Sequence, residues 1–238
     1  MVHEITVFDR SEVTEDILRE ASKLYNENYG YWDPHPEDQS LPRKPGSRLK
    51  LRPAQLRAQC LPEGSNSSYV RLTVNRTLAG CAFVCRWDPG GFEVCWITQF
   101  VMHREHLTDH LSVTLLRAVW DKDIEVMGIA SSNPFALKAL VAAYADFKLP
   151  DVNFDFMKYS AAPMFNKSPI YYLKNAELRG KVFDDEDDTG LTCGIDTNSY
   201  IDNTKSRELV SKRLGQDWPF GDLPDGHEYL LFFSVIGK

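Results

Sequence analysis

Residues 92–103 read FEVCWITQFVMH, and this stretch decides the fold. Apolar, β-branched and aromatic residues fill it, and the turn residues Pro89-Gly90-Gly91 precede it, so it predicts a long, buried β-strand. Two strand-like segments, Ser68–Val74 and Leu78–Trp87, lie directly upstream and are joined by the turn Asn75-Arg76-Thr77. Short turns between consecutive strands indicate an antiparallel meander.

Downstream of this strand the hydrophobic period changes from two to about four residues. Leu115-Leu116 belong to a helix that begins near Thr108 or Asp109, and Asp109 is interpreted as its N-cap. Glu125–Ala130 then predicts a second buried strand, and Asn133-Pro134 opens another helix with proline at its first position. The centre of the chain is therefore strand, helix, strand, helix, which predicts a parallel pair beside the meander.

The flanks complete a mixed α/β fold. A short strand over residues 4–8 precedes a helix from an N-cap at Thr14 to about Tyr29, and a second helix spans about Pro53–Cys60. Residues 150–178 are interpreted as irregular, Ser206–Leu214 as a helix and His227–Ile236 as a final apolar strand.

We interpret the whole chain, residues 1–238, as one domain, since no linker divides it. Residues 1–66 form an N-terminal strand and helices, 67–150 the central strand-helix core, and 151–238 a strand-rich C-terminal extension.

Composition limits the function. The 238 residues are 43% hydrophobic and 26% charged, with a net charge of −7, which disfavours nucleic-acid binding because that requires clustered basic residues. No run approaches the ~20 apolar residues of a membrane helix, and the beginning of the chain has no signal-peptide pattern, so we expect a cytoplasmic protein. The five cysteines have no metal-site spacing and are expected to be free, buried thiols. The oligomeric state stays open.

Three motifs carry a resemblance to a known family. They are Trp96–Arg104, the helical Leu115-Leu116, and Gly128–Pro134 with its central Ser-Ser-Asn. In this order the chain resembles the GNAT superfamily of acyl-CoA N-acyltransferases. It is most similar to a fungal group of uncertain substrate, whose segments Gly80–Phe83 and Gly226–Tyr229 it also matches. The resemblance covers the chain from about residue 45 onward.

The resemblance implies a GNAT-like mixed sheet and acetyl-CoA or another acyl-CoA as cofactor. It implies that pantetheine pairs with the exposed strand edge at Phe100, Val101 and Met102, and that Asn133 also contacts the cofactor. It places the pyrophosphate on a loop and helix start, where free amide groups and the helix dipole bind anions. The residues of this loop that we expect to bind are Thr108, Asp109, His110, Leu111 and Ser112.

The cofactor loop departs from the family pattern R/Q-x-x-G-x-G/A. Leu107 stands at the basic position, His110 at the first glycine and Ser112 at the second small residue. Asp109 also places a carboxylate near the phosphate position, at a cost on the order of 1 kcal/mol. The neighbouring histidines could supply donors or positive charge to the phosphates. The loop therefore favours either a specialised acyltransferase or a relative that no longer uses CoA.

The catalytic residues are less clear. The tyrosine that the family uses as general acid is replaced by Leu140, and Tyr144 lies one turn later, as a substitute acid or as a packing aromatic. Glu93 is the only carboxylate of the central strand and so the candidate base, while Gln99 is a neutral residue that can relay a proton through water.

The acceptor site is predicted from aromatic residues and the central strand. Tyr29, Tyr31 and Trp32 lie in a loop, and at least one of them is expected to face the cleft. Trp96 and Thr98 of the central strand are further candidates for contact with the substrate.

Three functions are compatible with these sequence features. The first is an acyl-CoA-dependent N-acyltransferase acting on a small-molecule amine. The second is a GNAT-fold enzyme of small-molecule biosynthesis without CoA, such as a cyclase or decarboxylase, and the third is a noncatalytic binding protein. Fold alone does not decide among them.

Overall fold

A computed structural model describes residues 2–34 and 44–235, except the side chains of Asp109 and Gln216. Within these residues, eight strands form one mixed sheet in the order β1-β2-β3-β4-β5-β8-β7-β6. The parallel pair is β4 with β5, and the other neighbours are antiparallel. The strands are β1 (His3–Asp9), β2 (Asn66–Val74), β3 (Thr77–Trp87), β4 (Glu93–Met102), β5 (Ile124–Ser131), β6 (Glu177–Arg179), β7 (Gly194–Asp196) and β8 (His227–Ser234).

Helices cover both faces of this sheet. They are α1 (Glu15–Asn28), α2 (Pro53–Cys60), α3 (Asp109–Arg117), α4 (Pro134–Tyr144), α5 (Phe154–Asn166), α6 (Tyr171–Lys174) and α7 (Thr204–Leu209). On β3, Phe83 packs with the core beneath α1 and α2, and Trp87, on the same face, donates its indole N–H to Met164 O of α5 at 3.2 Å. Arg86, on the opposite face, donates to Val119 O just beyond α3. Helices α1, α2 and α5 therefore share one face, and α3 covers the other.

The central architecture is confirmed. Strand β4 pairs with β3 along its length and with β5 only from Glu93 to Ile97, so the predicted parallel pair is present and diverges beyond Ile97. Helix α4 begins at Pro134, with Asn133 as its N-cap. All five cysteines are free and buried, as predicted.

The interpretation of residues 150–178 as irregular was wrong. Helix α5 begins after an N-cap at Asn153, and Met157, Ala161, Met164 and Phe165 form its buried face at helical spacing. The proline at position 163 obscured this pattern, because proline inside a helix removes a hydrogen bond.

Two helix starts also differ from prediction. Helix α3 is capped by Thr108, whose hydroxyl accepts from Leu111 N, and not by Asp109. The predicted helix at Ser206–Leu214 begins at Thr204 and continues after Leu209 as a π-helical turn. The final strand is present over His227–Ser234, and its predicted end at Ile236 lies outside the described residues.

Candidate functional site

The candidate site is the gap where β4 and β5 separate. Their parallel pairing ends at Ile97 opposite Ile129, while β4 continues for five residues to Met102. On the other side of the gap, β5 stays paired with β8 as far as Ser131 opposite Tyr229. A parallel pair that opens in this way leaves one edge of a central strand without a neighbour, and the gap is bounded by β4 on one side and the end of β8 on the other.

A bulge in β4 marks the beginning of the gap. Phe83 pairs with Gln99 and Val84 with Ile97, so Thr98 is the extra residue on β4. Gln99 shares the α1/α2 face with its partner Phe83, and the Thr98 hydroxyl reaches Cys60 O of α2 at 3.5 Å. Thr98, Gln99 and Phe100 are each partly accessible, between the buried segments 94–97 and 101–102 of the same strand. The bulge thus turns two polar side chains to one face.

The backbone of β4 presents hydrogen-bonding groups to the gap. His103 N donates to Ala79 O at 2.8 Å, and the alternation of an antiparallel pair directs the peptide groups of Phe100 and Met102 away from β3. Phe100 N donates to the side-chain oxygen of Gln99 at 3.1 Å. The side-chain oxygen of Gln99 therefore occupies the place that a hydrogen-bond acceptor of a bound ligand would take.

The start of α3 has only part of an anion site. Thr108 N donates to His106 O at 2.9 Å, Leu111 N to the Thr108 hydroxyl at 3.3 Å, and Ser112 N to Thr108 O at 3.1 Å. His110 is exposed, and its ring lies 6.3 Å from that of His3. The side chain of Asp109 lies outside what the structure describes. Several of the amides predicted to bind phosphate are thus used within the loop.

Two other predicted residues have structural partners. The side-chain oxygen of Asn133 accepts from Phe135 N at 3.0 Å, so Asn133 caps α4. Tyr144 is buried between α3 and α4, donates its hydroxyl to Leu116 O, and stacks on Trp120 at 5.6 Å. Its burial raises the pKa of the phenol well above the usual value. The structure therefore gives Tyr144 the packing role and not that of a general acid.

Replacing Tyr144 by Phe tests this assignment. We expect a loss of about 1 kcal/mol in the free energy of unfolding, because the hydrogen bond from the Tyr144 hydroxyl to Leu116 O is lost while Val119 N still donates to that carbonyl, and no change in kcat. Urea denaturation and steady-state kinetics measure the two effects. Tyr171→Phe is the control, since that side chain is 82% exposed. A fall of tenfold or more in kcat with unchanged stability would restore Tyr144 as a catalytic candidate.

Two predicted site residues of β4 remain, Glu93 and Trp96. Glu93 lies at the opposite end of β4, five residues before Thr98, which corresponds to about 17 Å of extended chain. Burial raises its pKa, but the structure does not bring it to the gap. Trp96 is fully buried, so it does not contact substrate directly, and it donates its indole N–H to the Tyr172 hydroxyl at 2.9 Å.

The three aromatic residues predicted for the acceptor site, Tyr29, Tyr31 and Trp32, lie in different surroundings. The ring of Tyr29 stacks on that of Tyr25 at 4.4 Å, beside the α1/α2 core. Tyr31 is exposed beneath the Arg48 guanidinium, 4.9 Å from the ring centroid, and Trp32 pairs with Ile201. Tyr29 is the member of the trio that lies nearest the gap, because its electrostatic neighbours include Glu228, Tyr172 and Cys60.

Sequence reasoning missed a carboxylate at the end of β8. Glu228 pairs with Ile195 of β7, just beyond the last residue that β8 shares with β5. Burial raises its pKa to about 7, against a hydrogen bond from Thr197 that lowers it. The side chain still keeps part of its surface accessible, as do Tyr29 and Tyr172, whose pKa values burial also raises. The space beside the gap that Glu228, Tyr29 and Tyr172 border is called the slot below.

A signal for this group was present in the sequence. A glutamate inside an otherwise apolar strand, as in His227–Ser234, is unusual, because an isolated buried carboxylate costs several kcal/mol. Tyr172 had no such signal, since its segment was interpreted as irregular.

The slot is narrow. Two surface depressions of about 460 and 550 Å³ lie beside α7 and beside α1, and no residue of β4 lines either of them. Within the part of the chain that the structure describes, no cluster of three or more His, Cys, Asp and Glu residues could hold a metal ion. None of the described helices combines the length and apolarity needed to span a bilayer.

A bulged central strand, a parallel neighbour that diverges from it, and a helix start at its far end define a GNAT-type fold. Comparison of the sequence with protein families and with curated proteins gives no match. Solved structures with a similar arrangement include the ribosomal-protein-S18-alanine N-acetyltransferase of Escherichia coli, at 11% identity and a TM-score of 0.41 over 63% of this chain and 84% of that one.

Two further solved structures with a similar arrangement are of enzymes that are named for other molecules. The aminoglycoside N-acetyltransferase AAC(6')-Ib11 is 16% identical, with a TM-score of 0.37 over 59% of this chain and 84% of that one. The AHL synthase LasI is 12% identical, with a TM-score of 0.38 over 59% and 77%. These likenesses concern the fold alone, and no residue takes its role from them.

Proposed function

We propose that this protein is an acyl-CoA-dependent N-acyltransferase acting on a small-molecule amine. The observation that carries the proposal is the open edge of β4, where the peptide groups of Phe100 and Met102 face the gap beside a partly accessible Thr98 and Gln99. An unpaired strand edge inside a domain requires a hydrogen-bonding partner, and the extended amide chain of pantetheine supplies one.

The residues present fit such a cofactor along the strand and only in part at the phosphates. Phe100 and Met102 would hold pantetheine once the Gln99 side chain leaves the Phe100 amide, whereas the peptide groups of Val101, also predicted to bind it, face β3. The first turn of α3 would face the pyrophosphate with its positive dipole end, although Thr108, Leu111 and Ser112 have amides engaged within the loop. When bound, acyl-CoA supplies a thioester that an amine can attack.

The chain's own contribution is positioning. The bulge at Thr98 and the bonded Trp96–Tyr172 pair fix the walls of the slot, so an amine and an acyl group held there react as if at high local concentration. A hydrogen bond from the Phe100 amide to a carbonyl oxygen would stabilise the charge that develops on that oxygen.

Acetyl-CoA binding tests the proposal. At 100 times its dissociation constant a ligand adds about 2.7 kcal/mol to stability, so a rise in melting temperature is expected on addition of acetyl-CoA. The double variant Asp109→Asn, His110→Gly should bind about fivefold more tightly, because it removes a like charge and a side chain near the phosphates. Isothermal titration calorimetry measures the change.

The control is Asp121→Asn, which removes the same charge beyond α3 and at the far end of β5. It should leave the dissociation constant unchanged. If neither the natural protein nor the double variant binds acetyl-CoA, the acyltransferase proposal is wrong.

One observation favours a second candidate, a GNAT-fold enzyme of small-molecule biosynthesis that does not use CoA. The internal hydrogen bonds of the α3 loop and the Gln99 contact with Phe100 N leave few groups ready for a cofactor. Absence of acetyl-CoA binding, together with binding of a small molecule in the slot, would support this candidate.

A further inference from the structure

The carboxylate of Glu228 lies on the face of the sheet that carries α1, α2 and α5. Side chains alternate along a strand, so Glu228, Leu230 and Phe232 point to the same face. The ring of Phe232 lies 6.4 Å from that of Trp96 and 6.0 Å from that of Phe165 in α5, which identifies this face. Because Glu228 is three residues beyond Leu231, the partner of Ile129, it lies where β5 has already separated from β4.

Three tyrosines lie on the same face of the sheet as this carboxylate. Tyr25 and Tyr29 approach from α1 as a stacked pair, and Tyr172 approaches from α6, held by the Trp96 indole. All three tyrosines interact electrostatically with Glu228, and the thiol of Cys60 in α2 interacts with all three. The Tyr172 hydroxyl accepts from Trp96, so its own proton is available to a partner in the slot.

Within the described residues, the carboxylate has no positive partner. Among the described residues, no Lys, Arg or His forms an ion pair with Glu228, and the ion pairs present lie elsewhere. The nearest polar side chain is that of Thr197, which lowers the carboxyl pKa against the larger effect of burial and donates its hydroxyl to Gly226 O at 3.3 Å. Burial of an unpaired carboxylate is costly, and the cost is recovered when a cation binds beside it. The faces of tyrosine rings also attract cations.

We propose that Glu228, with Tyr25, Tyr29 and Tyr172, forms the acceptor site of this enzyme, and that it binds a small primary amine as its ammonium ion. The amine carries no negative group near its nitrogen, because the buried carboxylate would repel one. This inference rests on the proposed function and names the substrate class and the proton acceptor of the same site.

The reaction balances with one proton released. Glu228 takes one proton from the bound ammonium group, which frees the nitrogen lone pair. The nitrogen then forms a bond to the acyl carbon of the thioester as the carbon–sulfur bond breaks. The nitrogen loses a second proton, which the departing thiolate gains, and Glu228 returns its own proton to solvent. The products are an amide and a thiol.

Replacing Glu228 by Gln tests the site in two ways. First, in the absence of acyl-CoA, tyramine and phenethylamine at pH 8 should raise the melting temperature of the natural protein and leave that of E228Q unchanged. Secondly, with acetyl-CoA present, kcat/KM for the better amine should fall at least 100-fold in E228Q, while the dissociation constant of acetyl-CoA stays the same. Glu125→Gln, at the far end of β5, is the matched carboxylate control.

The pH profile separates a catalytic from a structural role. Activity of the natural protein should decline as pH falls below about 7, as Glu228 gains a proton, and the residual activity of E228Q should lose this dependence. Tyr172→Phe should raise KM for the amine several-fold, and Tyr171→Phe, which alters an exposed neighbour, should not.

Two results would overturn the inference. One is an E228Q protein that binds and acetylates amines as the natural protein does, and the other is acetyl-CoA binding with no response to either amine in the natural protein. Failure of the proposed function has a different signature, since amines would then bind in a Glu228-dependent manner while acetyl-CoA does not bind.

Discussion

Glu228→Gln should make the protein more stable at high pH, by about 2 to 3 kcal/mol more at pH 8.5 than at pH 5. The carboxyl pKa is raised from 4.5 to about 7 on folding, so the native state binds more protons than the unfolded state between these values. Stability therefore falls as pH rises from about 4.5 to about 7 and stays low above it. Each unit of pKa corresponds to ~1.4 kcal/mol. Glutamine has nearly the same shape and no charge, so it removes this cost.

Urea denaturation at the two pH values measures the effect. Glu63→Gln, in an exposed turn, should change stability by less than about 0.5 kcal/mol at both. Equal effects of E228Q at pH 5 and pH 8.5 would show that the carboxylate is not held in a costly environment. An E228Q protein that is more stable than the natural protein and inactive would show that the carboxylate lowers stability and is needed for activity.

Gly128→Ala should destabilise the fold by about 3 kcal/mol. Gly128 pairs with Trp96 where β4 and β5 are still together, and a Cβ atom there would lie 2.2 and 2.4 Å from atoms of the Trp96 ring. That ring is fully buried and bonded to Tyr172, so it has no room to move. Overpacking of a rigid core costs typically 1–3 kcal/mol, and this contact lies at the upper end.

The measurement is again urea denaturation, with intrinsic tryptophan fluorescence as the probe. Gly30→Ala is the matched control, because a Cβ there meets Ile201 and Leu49 at 3.6 Å, an ordinary contact distance. It should change stability by less than about 1 kcal/mol. A Gly128→Ala protein as stable as the natural one would mean that the parallel pair can separate at this point without cost.

Much of the central fold was predictable from local patterns. The apolar run at residues 92–103, the change of period at Leu115-Leu116 and the Asn133-Pro134 helix start each depend on neighbours in sequence, so the parallel pair could be derived. The helix α5 was missed, because Pro163 interrupts its pattern and only tertiary packing on Trp87 and Trp96 stabilises it.

The predicted site residues differ in how far their placement depends on strand position alone. Thr98, Gln99 and Phe100 do lie at the gap, since strand position alone sets their place. Tyr144 was a candidate acid because its helical spacing places it on the expected face, but spacing does not show which carbonyl a hydroxyl will reach. The orientation of Asn133 as a helix cap is likewise a local hydrogen bond that competes with a ligand role.

By itself, the sequence determined the order of strands and helices from β2 to α4, because hydrophobic period and turn residues act over a few neighbouring positions. Only the tertiary structure decided the polar groups of the slot. Glu228 is about 130 residues from Thr98 and about 200 from Tyr25, and these groups meet because β8 joins the sheet beside β5 while α1 packs across the same face. The raised pKa of that carboxylate follows from this enclosure, and enclosure is a property of packing that no local pattern records.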